Sequence, residues 1–385
     1  MLQNDSSFVP CRVTYIWIAS SDSQPDIRSK DRTLYLSCCK LDMRPKDLLE
    51  EGFFPSWNFD GSSTGQSHGL NTEIVLKPVN AYPCFIPRHF MGTPWFVVVA
   101  ECYLPNGLPT KDNSRALASS VFNKNLKECP WFGMEQEFFL MKDNHPYGWD
   151  SCHIPPQGYY YCGTGSRFAR GRKYIDLHYE VCLKMGLNIC GTNAEVAVGQ
   201  WEFQIGPCEG IEMGDQLNVA RWVLLRILEA DGLYAEFGAK PIPGDWNGSG
   251  LHTNFSTAST REFNGIITLY EYCERLKLTA SRDIIFYGCD NNLRLTGEHE
   301  TSNLSAFSYG VGTRGTSIRI PNSVASDGKG YMEDRRPAAA ADPYLVSARL
   351  FASCMSIDSP EFDSISDIHK KDWMNFYVKL PISTD

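Results

Sequence analysis

The sequence predicts an α+β fold, in which a strand-rich unit precedes a larger unit of mixed helices and strands. Short strand-like runs, separated by clusters of Pro, Gly, Ser and Asp, fill residues 13–105, whereas long helical patterns begin only after residue 111. The chain has 385 residues, and a typical domain has about 150. We therefore expect two domains, residues 1–105 and residues 106–385, which meet at the Pro- and Gly-containing segment 105–109.

The first domain is expected to consist mainly of short strands. Residues 1–12 are expected to form a loose tail, and the polar stretch 57–66 is expected to form a turn. The clearest strands are residues 13–18, 33–37 and 95–100.

In the second domain, apolar residues recur at helical spacing in several long segments. The predicted helices are residues 112–127, 168–186, 212–231, 257–281 and 341–356. We expect them to pack the core and to carry no chemistry of their own.

Composition and charge exclude several classes of protein. The formal net charge of −9 argues against a general nucleic-acid binder, and no apolar run approaches the ~18 residues of a membrane span. The first residues lack the basic start and apolar core of a signal peptide. The 14 cysteines are scattered and include no CxxC pair, so reduced thiols are expected. These features predict a cytoplasmic enzyme that binds neither nucleic acid nor a membrane.

The strongest functional signal is the stretch 131–140, in which two carboxylates interrupt a run of large apolar side chains. Such a run favours a buried strand, and Glu135 and Glu137 would point to the same face of it. Two like charges on a buried face are costly unless a partner neutralises them. An edge strand whose polar face meets water explains one such pair as well, so a metal site is predicted only if further ligands follow.

Further candidate ligands do follow, in contexts like that of the first pair. They are Glu195, Glu202, His252, His299, Glu300 and Glu333. Carboxylates with at most one imidazole suit Mg²⁺ or Mn²⁺ better than zinc. A single buried histidine such as His252 is more often a core residue, but beside this many carboxylates a ligand role is favoured.

Arginines form a second candidate set: Arg294, Arg314, Arg319, Arg335 and Arg336. They could bind planar anions, and internal salt bridges to the glutamates are an equal alternative. Acidic clusters for a metal beside arginines for phosphates are typical of phosphoryl transfer. Residues 310–315 match GxGxxG but precede a strand, and no Walker-type sequence occurs, so a nucleotide would bind by another route.

These residues lie in long motifs that resemble the eukaryotic-type (type II) glutamine synthetases. The resemblance runs from about residue 13 to residue 355 and leaves the tail after about residue 357 without a counterpart. It implies an N-terminal β-grasp domain, followed by a catalytic domain with a curved antiparallel sheet and packed helices. The motifs that carry it are residues 57–66, 131–137, 191–210, 241–256 and 330–337.

The resemblance also implies metal and substrate sites. One metal would be held by Glu137, Glu195 and Glu202, and the other by Glu135, His252 and Glu333. The residues that would bind glutamate are Asn247, Gly248, Arg294 and Arg335. Those near ATP would be Trp131, Asn254, Ser256 and Tyr331.

Catalytic roles are implied for a third set of residues. Arg314 and Arg319 would stabilise the transferred phosphoryl group. Asp60 and Ser63 would reach the neighbouring subunit's site, where Asp60 binds ammonium and removes its proton. Glu300 would lie on a flap that closes over the intermediate.

The implied reaction joins ammonia to the γ-carboxylate of L-glutamate through a γ-glutamyl phosphate, giving L-glutamine, ADP and phosphate. ATP would be a substrate, two or three Mg²⁺ or Mn²⁺ ions would bind per site, and two stacked pentameric rings would share active sites between adjacent subunits. Two alternatives stay open: a catalytically inactive structural or regulatory homologue, and a ligase that joins another amine to glutamate. Glu298 and Leu293 depart from the family pattern near the site, whereas the expected metal ligands are all present.

Overall fold

The computed structural model describes residues 6–19, 26–87, 92–149, 157–299 and 301–362. Within these residues the chain forms a five-stranded and a nine-stranded sheet, with helices packed on the larger one. In this part of the chain, no helix is both long and apolar enough to cross a membrane.

The smaller sheet is built by the first hundred residues. Its elements are β1 (Phe8–Ala19), β2 (Asp26–Ser37), the short helix α1 (Pro45–Glu50), β3 (Trp57–Asp60), β4 (Glu73–Pro83) and β5 (Trp95–Tyr103). The strand order is β2-β1-β5-β4-β3, and neighbouring strands are antiparallel except β1 and β5, which are parallel. Both faces of β1 are buried, because Val13 and Tyr15 pack in the core of this sheet while Ile16 packs in the core of the larger one.

Two local predictions for this region are wrong. Residues 8–12, expected in a loose tail, pair with β2 along the full length of β1. The stretch expected to be a turn begins with β3, which pairs with β4. Phe59 in β3 stacks on Trp17, with ring centroids 4.6 Å apart, and this aromatic contact holds the strand against the sheet.

The larger sheet has the strand order β12-β13-β14-β11-β6-β9-β8, and β7 and β10 also pair with β6. These strands are β6 (Trp131–Lys142), β7 (His145–Pro146), β8 (Ile189–Ala194), β9 (Gln200–Glu209), β10 (Tyr234–Glu236), β11 (Leu251–Ser256), β12 (Tyr309–Val311), β13 (Ile318–Ile320) and β14 (Met332–Asp334). The prediction of a strand over residues 131–140 is confirmed. Its buried residues, among them Phe132, Met134 and Phe138, alternate with the two glutamates, so one face meets the core and the other carries the carboxylates.

Each predicted helical segment contains a helix. The helices are α2 (Ser114–Phe122), α3 (Arg172–Lys184), α4 (Glu212–Leu228), α5 (Ala258–Arg261), α6 (Gly265–Asp283), α7 (Asn322–Asp327) and α8 (Pro343–Met355). Of these, α2 is shorter than predicted and α7 was not predicted. α3 begins four residues later than predicted, because Gly171 adopts a φ of 86° that no helix accommodates. The helix predicted over 257–281 is two helices, since Glu262 is extended and Asn264 has a φ of 60°.

A buried polar network joins the smaller sheet to the helices. The guanidinium of Arg115 in α2 lies 2.7 Å from Glu101 of β5 and 2.7 Å from Asp215 of α4. The hydroxyl of Tyr344 in α8 donates to Asp215 over 2.6 Å. The apolar core also crosses this junction, so the boundary near residue 105 stays a prediction.

Candidate active site

The strand register brings four of the predicted ligands to one face of the larger sheet. β6 lies between β11 and β9. His252 of β11 lies directly opposite Glu135, and Glu202 of β9 lies directly opposite Glu137. Since Glu135 and Glu137 are two residues apart, all four side chains share this face.

Glu333 of β14 completes a compact group with Glu135 and His252. The Nδ1 atom of His252 lies 3.4 Å from Oε2 of Glu135 and 3.6 Å from Oε1 of Glu333. Among the described residues, these three form the group of possible ligands whose donor atoms all lie within 4.8 Å of one another. Two carboxylates and one imidazole at this spacing fit a hard divalent cation such as Mg²⁺ or Mn²⁺.

The state of His252 also fits a ligand. Burial, followed by the positive charge of Arg335, lowers the pKa of His252 well below its ordinary value, so its imidazole is neutral and able to bind a metal. The distances from Nδ1 to the two carboxylates exceed an ordinary hydrogen bond. The ring therefore faces the carboxylates without being satisfied by them, which favours a ligand over a core histidine.

Three glutamates outside this compact group also have perturbed pKa values: Glu137 and Glu202 on the same face, and Glu195 directly after β8. Burial raises the pKa of Glu137, Glu195 and Glu202 to about 8 each. The next largest cause is a neighbouring carboxylate in each case: Glu195 for Glu137, Glu202 for Glu195, and Glu135 for Glu202. The charged forms are therefore unfavourable until a cation compensates them, as expected of a face built to hold metal.

Hydrogen bonds fix the orientation of these carboxylates. Glu137 accepts from the backbone N–H of Gly250 over 2.9 Å, and Glu135 accepts from the side-chain amide of Asn254 over 2.9 Å. The amides of Asn193 and Gln204 donate to Glu195 and Glu202 over 2.8 and 2.7 Å respectively. Hydrogen-bond partners of this kind orient the side chains that bind a metal.

Arginines also line a cavity of about 470 Å³ above this face. The four that line it are Arg294, Arg314, Arg319 and Arg335. Glu333 receives two of them, Arg319 at 2.5 Å and Arg335 at 2.7 Å, so both are paired with a glutamate and also face the cavity. Arg336 has a different role, since it pairs with the buried Asp334 at 2.6 Å and is absent from the lining.

Arg294 adjoins the residues expected to bind glutamate. Its Nη2 donates to three backbone carbonyls, those of Arg335, Arg336 and Pro337, over 2.8–3.0 Å. Burial lowers the pKa of Arg294 to about 10, and the side chain stays charged at neutral pH. Gly248 lies against it so closely that an added Cβ would come within 2.5 Å of Cγ of Arg294.

The residues expected near ATP lie toward the other end of β11. Trp131 begins β6 and pairs with Ser256, which ends β11. Tyr331 directly precedes β14. Trp131 and Tyr331 are both partly exposed. Sequence reasoning missed Arg261, whose guanidinium lies 4.1 Å from the ring centroid of Trp131 and donates to the Ser256 hydroxyl over 3.0 Å.

Asp60 and Ser63 are not brought to this cavity within the chain. Asp60 ends β3 in the smaller sheet, Ser63 lies in the 3-10 turn that follows, and neither residue lines the cavity. Hydrogen bonds from the hydroxyl of Thr72, and then from Ser62, lower the pKa of Asp60. The side chain of Asp60 is therefore ionised at neutral pH. Glu300 lies outside the described residues.

Several other lining residues gave no clear signal in the sequence. Tyr161 comes from a Tyr- and Gly-rich loop that resembles any surface turn, and Gln200 and Gln204 are uncharged neighbours of the glutamates. Alternation along β9 could have indicated Gln204, because it lies two residues after Glu202.

The sequence of this chain is similar to those of known proteins. The family model described as "Glutamine synthetase, catalytic domain" matches residues 115–268. The glutamine synthetase of Neurospora crassa is 46% identical over 342 residues, covering 88% of this chain and 90% of the relative. That of Mus musculus is 46% identical over 347 residues, covering 89% of each. That of Tuber borchii is 47% identical over 335 residues, covering 86% of this chain and 89% of the relative.

Proposed function

Because the chain belongs to the glutamine synthetase family, we propose that this cavity joins ammonia to the γ-carboxylate of L-glutamate at the expense of ATP. The observation that supports the assignment most directly is the pairing of a carboxylate and histidine face with a wall of arginines in one cavity. Divalent cations on the first surface and phosphate oxygens on the second are what phosphoryl transfer requires.

The metal ligands are proposed in two groups on the sheet. Glu135, His252 and Glu333 would hold one Mg²⁺ or Mn²⁺ ion, and the second group would be Glu137, Glu195 and Glu202. Bound there, the ions supply Lewis-acid stabilisation of charge on the transferring phosphoryl group. The raised pKa values of the second group mean that these carboxylates release protons when they take up a cation.

The protein's own residues would bind and orient the substrates. Asn247, Gly248, Arg294 and Arg335 would hold glutamate, with the arginines facing its carboxylates. Trp131, Asn254, Ser256 and Tyr331 would lie along ATP. Arg314 and Arg319 would offset the charge that develops as the γ-phosphoryl group passes to the γ-carboxylate of glutamate.

Ammonium must lose a proton before it can attack the acyl phosphate, and Asp60 with Glu300 would bind the cation and accept that proton. Asp60 lies on the smaller sheet, away from the cavity of its own chain. That position fits a homo-oligomer in which one subunit supplies Asp60 and Ser63 to the site of the next. We propose two stacked pentameric rings for this assembly.

A cytoplasmic location also belongs to the proposal. It is supported by the free thiols of all the cysteines that the structure describes, because disulfides are rare in the reducing cytosol.

The test is phosphate release by the purified protein with ATP, Mg²⁺ and glutamate, with and without ammonium, while glutamine is counted in parallel. The proposal expects ammonium-dependent release with one glutamine formed for each phosphate. A chelator should stop the reaction, and excess Mg²⁺ should restore it. If phosphate release required another amine, that amine and not ammonium would be the substrate. If folded, metal-binding protein released no phosphate, an inactive homologue would be favoured.

A further inference from the structure

Three side chains that have no role in the reaction described above form a hydrogen-bonded group at the cavity wall. They are Gln157, Asp245 and His299, which we call the His299 cluster. His299 lines the cavity, Gln157 directly precedes the lining residue Gly158, and the side chain of Asp245 is 91% exposed. The cluster connects three segments that are distant in sequence, one for each residue. It adjoins Asn247, which is expected to bind glutamate.

The contacts of the cluster form a continuous chain. The side-chain carbonyl of Gln157 accepts the backbone N–H of Asn247 over 2.7 Å. The side-chain nitrogen of Gln157 lies 3.1 Å from Nδ1 of His299. The other ring nitrogen of His299, Nε2, lies 2.8 Å from Oδ1 of Asp245.

These hydrogen bonds determine which ring nitrogen of His299 carries the proton. Because the carbonyl of Gln157 is committed to a backbone N–H, its nitrogen must be a donor toward His299. Nδ1 of His299 must then accept with its lone pair, and the proton lies on Nε2, where it is donated to Asp245. A proton on Nδ1 would set two donors against each other.

The loop that this chain holds contains little regular structure of its own. Residues 237–250 include no helix or strand, so side-chain contacts must determine the position of Asn247 and Gly248. The amide of Gln200 donates to the carbonyl of Gly248 over 3.0 Å, and Lys240 donates to the carbonyl of Trp246. The bond from Gln157 is the one that holds the N–H of Asn247.

We propose that His299 is a positioning residue for glutamate binding. Through its lone pair on Nδ1 it orients Gln157, and Gln157 in turn holds Asn247 and Gly248 in the geometry that receives glutamate. This inference rests on the proposed function, because it concerns the same substrate. The pair of His299 with the exposed Asp245 contributes less, since such pairs are screened by water.

The experiment compares steady-state kinetics of the full-length protein and its variants. His299→Ala should raise KM for glutamate about three- to tenfold, the range expected for loss of one neutral hydrogen bond. KM for ATP and kcat should stay within about twofold. His299→Asn should keep KM for glutamate near the wild-type value, because its carbonyl oxygen can accept from Gln157 as Nδ1 does.

A double variant tests whether the two residues act as one unit. Gln157→Ala should raise KM for glutamate as His299→Ala does, and combining them should add little. His145→Ala, on the exposed strand β7, is the matched control and should change nothing. An equal rise in KM for ATP, additive effects, or an Asn variant as impaired as the Ala variant would overturn the proposal.

The outcomes separate this inference from the function on which it rests. Wild-type protein that forms no glutamine would remove both. Active wild-type protein with an unchanged KM for glutamate in His299→Ala would refute the positioning role alone and leave the ligase intact.

Discussion

The carboxylate face predicts that the metal-free protein gains stability when one of its glutamates is made neutral. Glu202 is the most informative choice, because its pKa is raised from 4.5 to about 8 by burial and by Glu135 and Glu137. At pH 7 the unfolded chain carries this group ionised, whereas the folded chain holds it largely protonated. The folded state therefore takes up a proton at a cost of about 3 kcal/mol, which Glu202→Gln removes.

The raised pKa of Glu202 also determines how the stability depends on pH. A carboxyl group whose pKa is raised by folding contributes no penalty below about pH 4.5, where both states are protonated. The penalty grows as the pH rises toward 8, so the wild-type protein loses stability over this window. The advantage of Glu202→Gln should therefore be small at pH 5, about a quarter of its value at pH 7, and largest near pH 8. Coupling with Glu195, whose pKa also depends on Glu202, makes the effects of single changes non-additive.

The assay is thermal unfolding in EDTA at pH 5 and at pH 7.5, with Glu50→Gln on the exposed end of α1 as the control. For Glu202→Gln we expect a gain in melting temperature that is several times larger at pH 7.5 than at pH 5. We also expect a smaller increase on adding Mg²⁺ than the wild type shows. A melting temperature equal to or below that of the wild type at pH 7.5 would refute the charge argument. The same gap at both pH values would refute its assignment to titration.

Three further predictions concern the reaction. Glu333→Ala should lower turnover on the order of 10³-fold, because several kcal/mol of charge stabilisation depend on the metal that Glu333 is expected to hold. Light scattering should show that the assembly stays intact, and loss of the assembly would contradict this prediction. Gly248→Ala should raise KM for glutamate, because the new Cβ would lie 2.4 Å from the carbonyl oxygen of Ala239 and 2.5 Å from Cγ of Arg294; an unchanged KM would show that the loop has room. Glu298→Phe should lower KM for ATP by removing an exposed negative charge near the site, and an unchanged KM would dismiss that repulsion.

The sequence predicted the buried strands and helices well where one periodicity extends over several turns or residues. The alternation in β6 indicated both the strand and the shared face of Glu135 and Glu137, because a period of two is a local property. It could not indicate that His252 lies opposite Glu135, since register depends on partners more than one hundred residues away. The metal roles came from the family resemblance and not from periodicity.

The failures also have local causes. The helix predicted over 257–281 begins at a capping box of Thr257 and Thr260. It is interrupted because the extended Glu262 ends the first turn and the left-handed Asn264 starts a new helix. β4 escaped notice because Pro78 lies inside it, where the register shifts between Pro78 and Asn80. The intrinsic propensities of the residues do not predict these backbone conformations or the register shift.

The distribution of the metal ligands over the larger sheet has a consequence for protein synthesis. Glu135 leaves the ribosome early, but its partner Glu333 is made nearly two hundred residues later and lies two strands away across the sheet. A growing or prematurely terminated chain therefore cannot assemble the group of Glu135, His252 and Glu333. Metal binding at this proposed site would therefore mark a finished sheet, and stabilisation by Mg²⁺ should separate complete molecules from truncated ones.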